Sequence, residues 1–387
     1  SRFDALTRVL NRGALTRAVG DAFEDRERHG GEIGLLFVDL DHFKDINDEH
    51  GHQCGDMLLA HIAAVLVQSS RDNDIVGRFG GDEFVVMMPR ITESGLRAIT
   101  SRIQDALHSE VTFSTASLRP SVSIGAHLSP PGETHLQALQ CADVAVYEAK
   151  ARGRGCLVTY TAALEKALRR RKFVHQAVAT GLARGGFSLR YQPVYAQDGT
   201  KLVGFEALLR LEAENGIAIS PTEFIPVAER ASMIEQIGAW TLREAMKTAA
   251  DWPEHLFVAI NLSAEQFKSG ALVGTVEQAL ASSGLDPRRL ELEVTESLLI
   301  EDENLVGRQI AALKALGTHI ALDDFGTGYS SLGYLWKFEF DKLKVDRIFV
   351  ESLEFNQPKY SRILATILML GQELGMAVTV EGIETED

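Results

Sequence analysis

The chain has 387 residues, which is enough for two or three domains, and a net charge of −15. This acidic balance argues against broad binding to nucleic-acid polymers or anionic membranes, because such binding needs a basic face. The composition, 45% hydrophobic and 24% charged, is that of a soluble globular protein, and no apolar run approaches the ~20 residues of a membrane-spanning helix.

The first part of the chain alternates short strands with helices. The residue patterns predict strands over 34–39, 84–88 and 121–126, and helices over 56–68 and 136–151. We therefore predict an α+β domain over residues 1–160, in which helices pack on an antiparallel-centred sheet. Residues 161–183 carry a helical pattern rich in Lys and Arg, which we interpret as a connector. Its basic cluster could bind phosphate, although a solvated helix face is the favoured reading.

The second part repeats a strand-then-helix rhythm, which predicts an α/β barrel of the TIM type over residues 184–387. Seven strands are predicted, over 188–195, 203–210, 257–262, 291–294, 320–324, 342–345 and 377–381. An eighth strand would be needed to protect the sheet edges, so we expect the native chain to continue past Asp387.

The run Gly80-Gly81-Asp82-Glu83 is the most informative motif of the first part. The glycines let the backbone approach a ligand closely, since neither carries a Cβ atom. The carboxylates would grip a phosphate-bearing ligand through magnesium, because alone they would repel it. The alternative is a β-hairpin with a Gly-Gly turn and an acidic tip.

Other polar residues suit the same ligand. Asp39 ends a buried strand, and Asn47 and Asp56 could hydrogen-bond a guanine edge from the loop and helix start that follow. Lys150 and Arg154 lie one turn apart and could hold phosphates. A solvated surface is the alternative for that pair.

These segments together resemble the GGDEF domain of the diguanylate cyclase family over about residues 1–160, through 4–7, 11–12, 39–44, 80–84, 123–125 and 150–154. The resemblance implies a nucleotide-cyclase-like fold and the condensation of two GTP into cyclic di-GMP by a homodimer. By position it implies that Asp39 and Asp82 bind one or two Mg²⁺ or Mn²⁺, with Glu83 beside them. It also implies that Gly80 and Gly81 contact the substrate and that Asn47 and Asp56 bind guanine. The phosphates would be held by Lys44, Lys150 and Arg154.

A regulatory motif stands just upstream. Arg71 and Asp74 match the RxxD inhibitory site of the family, where they would bind the cyclic product. One departure is Arg8, where the family usually has glycine, and we expect little consequence from it.

In the second part, acidic and amide residues recur at the predicted strand ends, namely Glu206, Asn261, Glu293, Glu296, Asp323, Asp324 and Glu381, and Lys344 ends a further strand. Barrel active sites assemble at that end. So many oxygen donors in one dry site would repel one another unless cations bind. Adjacent acids such as Asp323 and Asp324 can serve two metals about 4 Å apart. The alternative is that these acids are structural.

This half resembles the EAL phosphodiesterase family, which cleaves cyclic di-GMP to pGpG, over about residues 168–387, through 206–210, 261–263, 293–296, 323–332, 341–346 and 381–385. The resemblance implies that one or two Mg²⁺ or Mn²⁺ are held by Glu206, Asn261, Glu293, Asp323, Asp324 and Glu381. It also implies that Lys344 orients the attacking water, that Glu296 anchors the loop after Asp324, and that Gln192 and Arg210 contact the substrate.

We therefore expect a cytoplasmic protein that turns over cyclic di-GMP. The three cysteines (Cys54, Cys141 and Cys156) fit that reducing compartment as structural thiols, since their spacing suggests neither a metal site nor disulfides. Hydrolysis should dominate, because synthesis needs two GGDEF domains face to face. The alternatives are a catalytically silent receptor of cyclic di-GMP or GTP, and a net cyclase with a regulatory barrel. Each of these functions is compatible with a sensor or membrane region upstream of this segment.

Overall fold

A computed structural model of the chain describes residues 2–107, 109–113, 117–196, 199–296, 298, 303–326, 335, 337–350 and 358–382. The chain divides into two units, Ser1–Arg169 and Arg170–Asp387. Two parts of the predicted motifs, residues 327–332 and 383–385, lie outside the described residues. Among the described helices, none combines the length and the apolar character needed to cross a lipid bilayer.

The first unit is built on a mixed sheet. Its strands are β1 (Ile33–Leu40), β2 (Ile75–Gly80), β3 (Glu83–Pro89), β4 (Val111–Thr112), β5 (Ser117–Leu118), β6 (Val122–Ser129) and β7 (Leu157–Thr159). Its helices are α1 (Arg12–His29), α2 (Phe43–His50), α3 (His52–Ser69), α4 (Glu93–Leu107) and α5 (His135–Ala151); α6 (Ala162–Arg184) begins here and ends in the second unit.

Helices cover both faces of this sheet. The strand order is β2-β3-β1-β6-β7, with antiparallel pairing except between β6 and β7. Side chains alternate across the central strand β1, so Leu36 and Val38 pack in one core with α3 and α4. Leu35 and Phe37 pack in a second core with α1 and α5. Burial on both faces explains the continuous apolar run of β1.

The second unit has a larger, mainly parallel sheet. Its strands are β8 (Phe187–Tyr195), β9 (Leu202–Glu212), β10 (Ala218–Ile219), β11 (Phe257–Asn261), β12 (Leu290–Thr295), β13 (His319–Phe325), β14 (Lys342–Val345) and β15 (Ala377–Val380). Its helices are α7 (Pro221–Arg230), α8 (Ile234–Ala250), α9 (Ala264–Lys268), α10 (Leu272–Ser283), α11 (Glu303–Ala315) and α12 (Pro358–Glu373), with a 3-10 turn at Pro287–Arg289.

Parallel pairing runs from β9 through β11, β12, β13 and β14 to β15, and β8 and β10 pair antiparallel with β9. All seven strands predicted for this half are present. Within the described ranges no pairing joins β15 to β8, so closure into a barrel stays a prediction.

The two faces of the larger sheet differ in polarity because the sequence alternates along each strand. Leu292 and Val294 of β12 and Leu343 and Val345 of β14 lie in the main hydrophobic core. The residues that alternate with them point to the other face, namely Glu291, Glu293, Lys342 and Lys344. This alternation collects charged side chains on one face of the sheet.

The strands and helices predicted in the first unit are present, with shifted ends. The predictions missed α1, α4, β2, β4, β5 and β7, and they placed Asn47 in a loop, whereas it lies in α2. Helix α6 covers the predicted connector, although the boundary between the two units falls inside it.

Candidate active sites of the two units

The Gly-Gly-Asp-Glu motif forms the turn between β2 and β3. Gly81 has a φ of 30°, a backbone conformation that favours glycine. The Arg78 guanidinium holds the turn, since its Nε donates to the Gly81 carbonyl at 2.9 Å and its Nη1 lies 3.2 Å from Asp4 Oδ1. The hairpin that we considered as an alternative is therefore present, and it carries Asp82 and Glu83 at its tip.

Three charged residues from separate elements meet beside this tip. Asp39, at the end of β1, lies opposite Glu83 in the β1–β3 register. The Lys150 ammonium, at the end of α5, is 2.6 Å from Asp39 Oδ2. Burial raises the pKa of Asp39 against the effect of Lys150, and burial with the charges of Asp39, Asp82 and Asp143 raises the pKa of Glu83. These carboxylates thus crowd one another enough to favour a bound cation.

A buried carboxylate that the sequence analysis left without a role fixes the loop bearing Arg154. Asp41 accepts hydrogen bonds from Ser123 Oγ at 2.7 Å, Ser121 Oγ at 2.7 Å and the Gly155 amide at 2.9 Å. Arg154 itself is exposed, with a φ of 65°. The spacing Asp39-x-Asp41 at a strand end was the available signal for this second acid.

Helices α2 and α3 present the predicted guanine-binding residues. Asn47 lies on α2, and Asp56 on α3 is exposed, as is Lys44 on α2. The helices approach closely at Gly55, because a Cβ atom there would lie 2.1 Å from Asn47 Oδ1. The glycine therefore sets where the Asn47 amide sits.

We predict that Gly55→Ala destabilises the first unit by about 1–3 kcal/mol, because the added methyl group must displace Asn47. Gly20→Ala is the matched control in a helix, because its Cβ atom would lie 4.0 Å from its nearest neighbour, Cε1 of His135. That control should be neutral or stabilising by up to ~1 kcal/mol. Thermal unfolding followed by circular dichroism measures both, and equal unfolding midpoints for Gly55→Ala and wild type would contradict this packing account.

The predicted inhibitory motif forms a tight turn. The Arg71 amide donates to Asp74 Oδ2 at 2.7 Å, and the Asp74 amide donates to the Arg71 carbonyl at 2.9 Å. Burial raises the pKa of Asp74, against the effects of Arg71 and Arg102. The Arg71 residue is exposed. The turn thus offers an exposed arginine next to a half-buried carboxylate.

In the second unit, four predicted carboxylates converge on the ammonium of Lys344, which is 3% exposed. The distances from Nζ are 2.7 Å to Glu293 Oε2, 2.8 Å to Glu381 Oε1, 3.2 Å to Asp323 Oδ2 and 3.3 Å to Glu206 Oε2. Asn261 Nδ2 donates to the other oxygen of Glu206 at 2.7 Å. The structure therefore brings together five of the six predicted metal ligands with the predicted lysine.

Strand register explains this convergence. Asn261 pairs with Glu293 between β11 and β12, and Glu206 pairs with Ala259, two residues before Asn261. The Glu381 amide donates to the Val345 carbonyl at 3.0 Å, which places Glu381 beside the end of β14. Residues at matching levels of neighbouring parallel strands share a face and an edge, so their side chains meet.

The electrostatics of this cluster are dominated by burial and mutual repulsion. Burial raises the pKa of Glu293 well above its usual value, Glu206 and Asp323 raise it further, and Lys344 opposes them. Burial works to lower the pKa of Lys344, but Glu293, Glu206, Asp323 and Glu381 together raise it. The ammonium thus stays charged and offsets part of the repulsion among the acids.

The adjacent acids Asp323 and Asp324 point to different partners. Asp323 contacts Lys344, whereas Asp324 faces the carboxyl group of Asp346. A register shift between Leu322 and Phe325 and the positive φ of Asp324, 56°, accompany this divergence. Burial, with Asp323 and Asp346, raises the pKa of Asp324. The sequence analysis gave Asp346 no role, although its position two residues after Lys344 was a usable signal.

The remaining predicted residues lie around this cluster. Gln192 is the antiparallel partner of Glu206, and Arg210 lies four residues further along β9, where its Nη1 donates to the Leu209 carbonyl at 2.9 Å. Glu296 is buried directly after β12. Gln192 is exposed beside the carboxylates, so it is accessible to a ligand.

Known protein families match both halves of the chain. A family model of the EAL domain matches residues 175–387, and one of the diguanylate cyclase GGDEF domain matches residues 1–156. MucR of Pseudomonas aeruginosa, a bifunctional diguanylate cyclase/cyclic di-GMP phosphodiesterase, is 34% identical over 99% of this chain and 56% of its own length. PdeR of Escherichia coli, a cyclic di-GMP phosphodiesterase, is 31% identical over 99% of this chain and 58% of its own length.

A solved structure of the PaMucR phosphodiesterase in complex with c-di-GMP superposes with a TM-score of 0.52 at 39% identity, covering 55% of this chain and 87% of that one. The chain spans about half the length of the curated relatives that it matches. Two family matches in succession, with relatives aligned across both, establish that the chain belongs to the family of tandem GGDEF–EAL proteins of cyclic di-GMP signalling.

Proposed function

We propose that the second unit hydrolyses cyclic di-GMP to pGpG, and that the first unit binds GTP and condenses two GTP into cyclic di-GMP when two copies meet. The observation that carries the hydrolytic part is the convergence of Glu206, Glu293, Asp323 and Glu381 on Lys344. Ligand sites of parallel sheets lie at the carboxyl ends of the strands. The c-di-GMP complex of the PaMucR phosphodiesterase supports this choice of substrate.

The donor set of the second unit fits Mg²⁺ or Mn²⁺, which prefer carboxylate and amide oxygens. Lys344 supplies a single positive charge to four carboxylates, which leaves the cluster short of cations. One or two ions would be held by Glu206, Asn261, Glu293, Asp323, Asp324 and Glu381. Such ions, when bound, lower the pKa of a water molecule and offset the charge of the phosphodiester.

The side chains of this chain position the reactants. In the proposed hydrolysis, a water oxygen bonds to phosphorus, the bond from phosphorus to the 3′ oxygen breaks, and that oxygen takes up a proton. Lys344 would orient the water through the carboxylates that it holds, and Asn261 fixes the Glu206 carboxylate. Gln192 and Arg210 contact the substrate, and Glu296 anchors the loop after Asp324.

For the first unit, the proposal rests on Asp39, Asp82 and Glu83 gathered at the hairpin tip with Lys150 beside them. These acids suit one or two Mg²⁺ or Mn²⁺ that bridge to a triphosphate. Lys44, Lys150 and Arg154 would hold phosphates, Asn47 and Asp56 would read guanine, and Arg71 with Asp74 would bind the product. In each condensation step the 3′ hydroxyl of one GTP loses its proton and attacks the α-phosphorus of the other, and the bond to the α–β bridging oxygen breaks to release pyrophosphate. Each unit holds one GTP, so we propose a homodimer.

We further propose that the GGDEF domain spans residues 1–160, the connector 161–183 and the EAL domain 184–387, and that the parallel sheet belongs to a TIM-type barrel. A cytoplasmic location agrees with the three free thiols.

A paired assay tests the proposal. The chain is incubated with cyclic di-GMP in one tube and GTP in another, with Mg²⁺ or Mn²⁺, and the products are separated by chromatography. We expect ready formation of pGpG and weak formation of cyclic di-GMP. Unchanged cyclic di-GMP at saturating metal would favour a silent receptor, and accumulation of cyclic di-GMP from GTP would favour a net cyclase.

We predict that GTP changes the rate of cyclic di-GMP hydrolysis, because the proposed GTP-binding residues precede helix α6, which continues into the second unit. The measurement compares hydrolysis with and without GTP at matched free Mg²⁺, with Asp82→Ala as the variant that should lose the response. Equal rates in wild type under the two conditions would exclude this coupling.

A further inference from the structure

A cluster of possible metal ligands lies in the first unit, apart from the hairpin tip. It joins His127 on β6, Glu133 in the loop that follows, and Cys141 on α5. His127 Nε2 is 2.7 Å from Glu133 Oε2, and Cys141 Sγ is 3.6 Å from Glu133 Oε1. One donor atom from each of the three side chains lies within 4.8 Å of the other two.

The surrounding structure fixes this cluster. The His127 side chain is 6% exposed, and its ring stands edge-on to Tyr160 with the ring centroids 5.1 Å apart. The buried Arg26 guanidinium donates to Ser129 Oγ at 2.9 Å, to the Pro130 carbonyl at 3.0 Å and to the Glu133 carbonyl. The loop that carries Glu133 is thus tied to α1, so the donors are held in place before any ligand arrives.

The thiol–carboxylate distance matches that of two neighbouring ligands of a tetrahedral metal ion. Bonds from Zn²⁺ to nitrogen, oxygen and sulfur ligands place neighbouring donors about 3.3–3.6 Å apart. The thiol–carboxylate distance is already 3.6 Å, and the imidazole–carboxylate distance of 2.7 Å needs only a small side-chain rotation to open. The Tyr160 hydroxyl contacts Cys141 but donates to Glu165, so a water molecule would complete the coordination.

We propose that His127, Glu133 and Cys141 form a binding site for a thiophilic divalent cation, with Zn²⁺ as the fitting ion. The combination of imidazole, carboxylate and thiolate ligands is typical of zinc, whereas Mg²⁺ prefers oxygen donors alone. On binding, the Cys141 thiol releases its proton to solvent and the thiolate binds the ion. This site is chemically distinct from the oxygen-donor sites proposed for Mg²⁺ or Mn²⁺.

Cobalt spectroscopy tests the proposal on the intact chain. Co²⁺ replaces Zn²⁺ in such sites and gives a near-ultraviolet charge-transfer band only where a thiolate is a ligand. The oxygen-donor sites cannot give that band. Excess Mg²⁺ is present throughout to occupy the oxygen-donor sites. We expect the band to saturate at one Co²⁺ per chain and to disappear when Zn²⁺ is added.

Three variants locate the ligand. Cys141→Ser should lose the band, and His127→Gln should weaken Co²⁺ binding by more than about tenfold. Cys156→Ser is the matched control, since Cys156 hydrogen-bonds the Ala149 carbonyl and belongs to no donor cluster among the described residues. It should keep the band. A folded wild-type chain without the band, a band that survives Cys141→Ser, or one lost in Cys156→Ser would overturn the proposal and leave an ordinary His–Glu ion pair.

Discussion

Replacing Lys344 with methionine is expected to destabilise the second unit by about 3–5 kcal/mol in the absence of divalent ions, because four carboxylates lose their shared buried partner. Adding Mg²⁺ or Mn²⁺ should recover much of that loss, since the ions supply positive charge to the same oxygens. The three tryptophans, Trp240, Trp252 and Trp336, all belong to the second unit, so tryptophan fluorescence during urea unfolding reports on it.

Lys342→Met is the matched control for this variant. Lys342 lies two residues earlier on the same strand and points to the same face, but its ammonium pairs with Glu291 at 2.7 Å and lies 4.3 Å from the centroid of the Phe257 ring. Its replacement should destabilise the unit without any recovery by divalent ions. An unfolding curve of Lys344→Met that does not shift when Mg²⁺ or Mn²⁺ is added would show that the carboxylates around Lys344 do not bind the ion.

Replacing Glu206 with alanine is expected to lower the rate of cyclic di-GMP hydrolysis by ~10²-fold or more, because a lost metal ligand removes several kcal/mol of charge stabilisation from the transition state. Folding should be nearly unaffected, since Glu206 is partly exposed and Lys344 keeps three other carboxylates. Any synthesis of cyclic di-GMP from GTP should persist. Product chromatography measures both reactions.

Two further variants complete this test. Asp82→Ala should abolish synthesis and leave hydrolysis intact. Glu212→Ala removes an exposed carboxylate from the same strand as Glu206 and should change neither rate. If Glu206→Ala hydrolyses cyclic di-GMP at the wild-type rate, the assignment of the Lys344 cluster as the hydrolytic site is wrong.

The sequence predicted the strands of the second unit well because each combines apolar residues with a polar residue at its end. Periodicity alone could not show what lies at the centre of the acids. We expected bound metal ions to relieve the repulsion among these carboxylates, and the structure shows that the Lys344 ammonium also contributes a positive charge there. Strand alternation alone predicts that Asp323 and Asp324 point apart, whereas no local pattern encodes the register shift between Leu322 and Phe325.

The misses in the first unit have local causes. Helix α4 carries Leu96, Ile99, Ile103 and Leu107 on one buried face, a spacing that predicts a helix and was overlooked. Helix α2 is short and begins after His42, whose φ is 57°, so propensity favoured a loop there. The contacts of His127, Glu133 and Cys141 join a strand, a loop and a helix, and the cysteine spacing alone gave no sign of them.

The shared ammonium also sets the sign of the electric field that a ligand meets. With all four carboxylates ionised, their charge against the single positive charge of Lys344 leaves three negative charges at the mouth of the sheet. Asp324, the fifth carboxylate among the proposed ligands, adds to this negative charge, and each divalent ion held offsets two negative charges. A dianionic cyclic dinucleotide is therefore repelled by the bare cluster, and each ion held weakens that repulsion and speeds diffusion toward this edge.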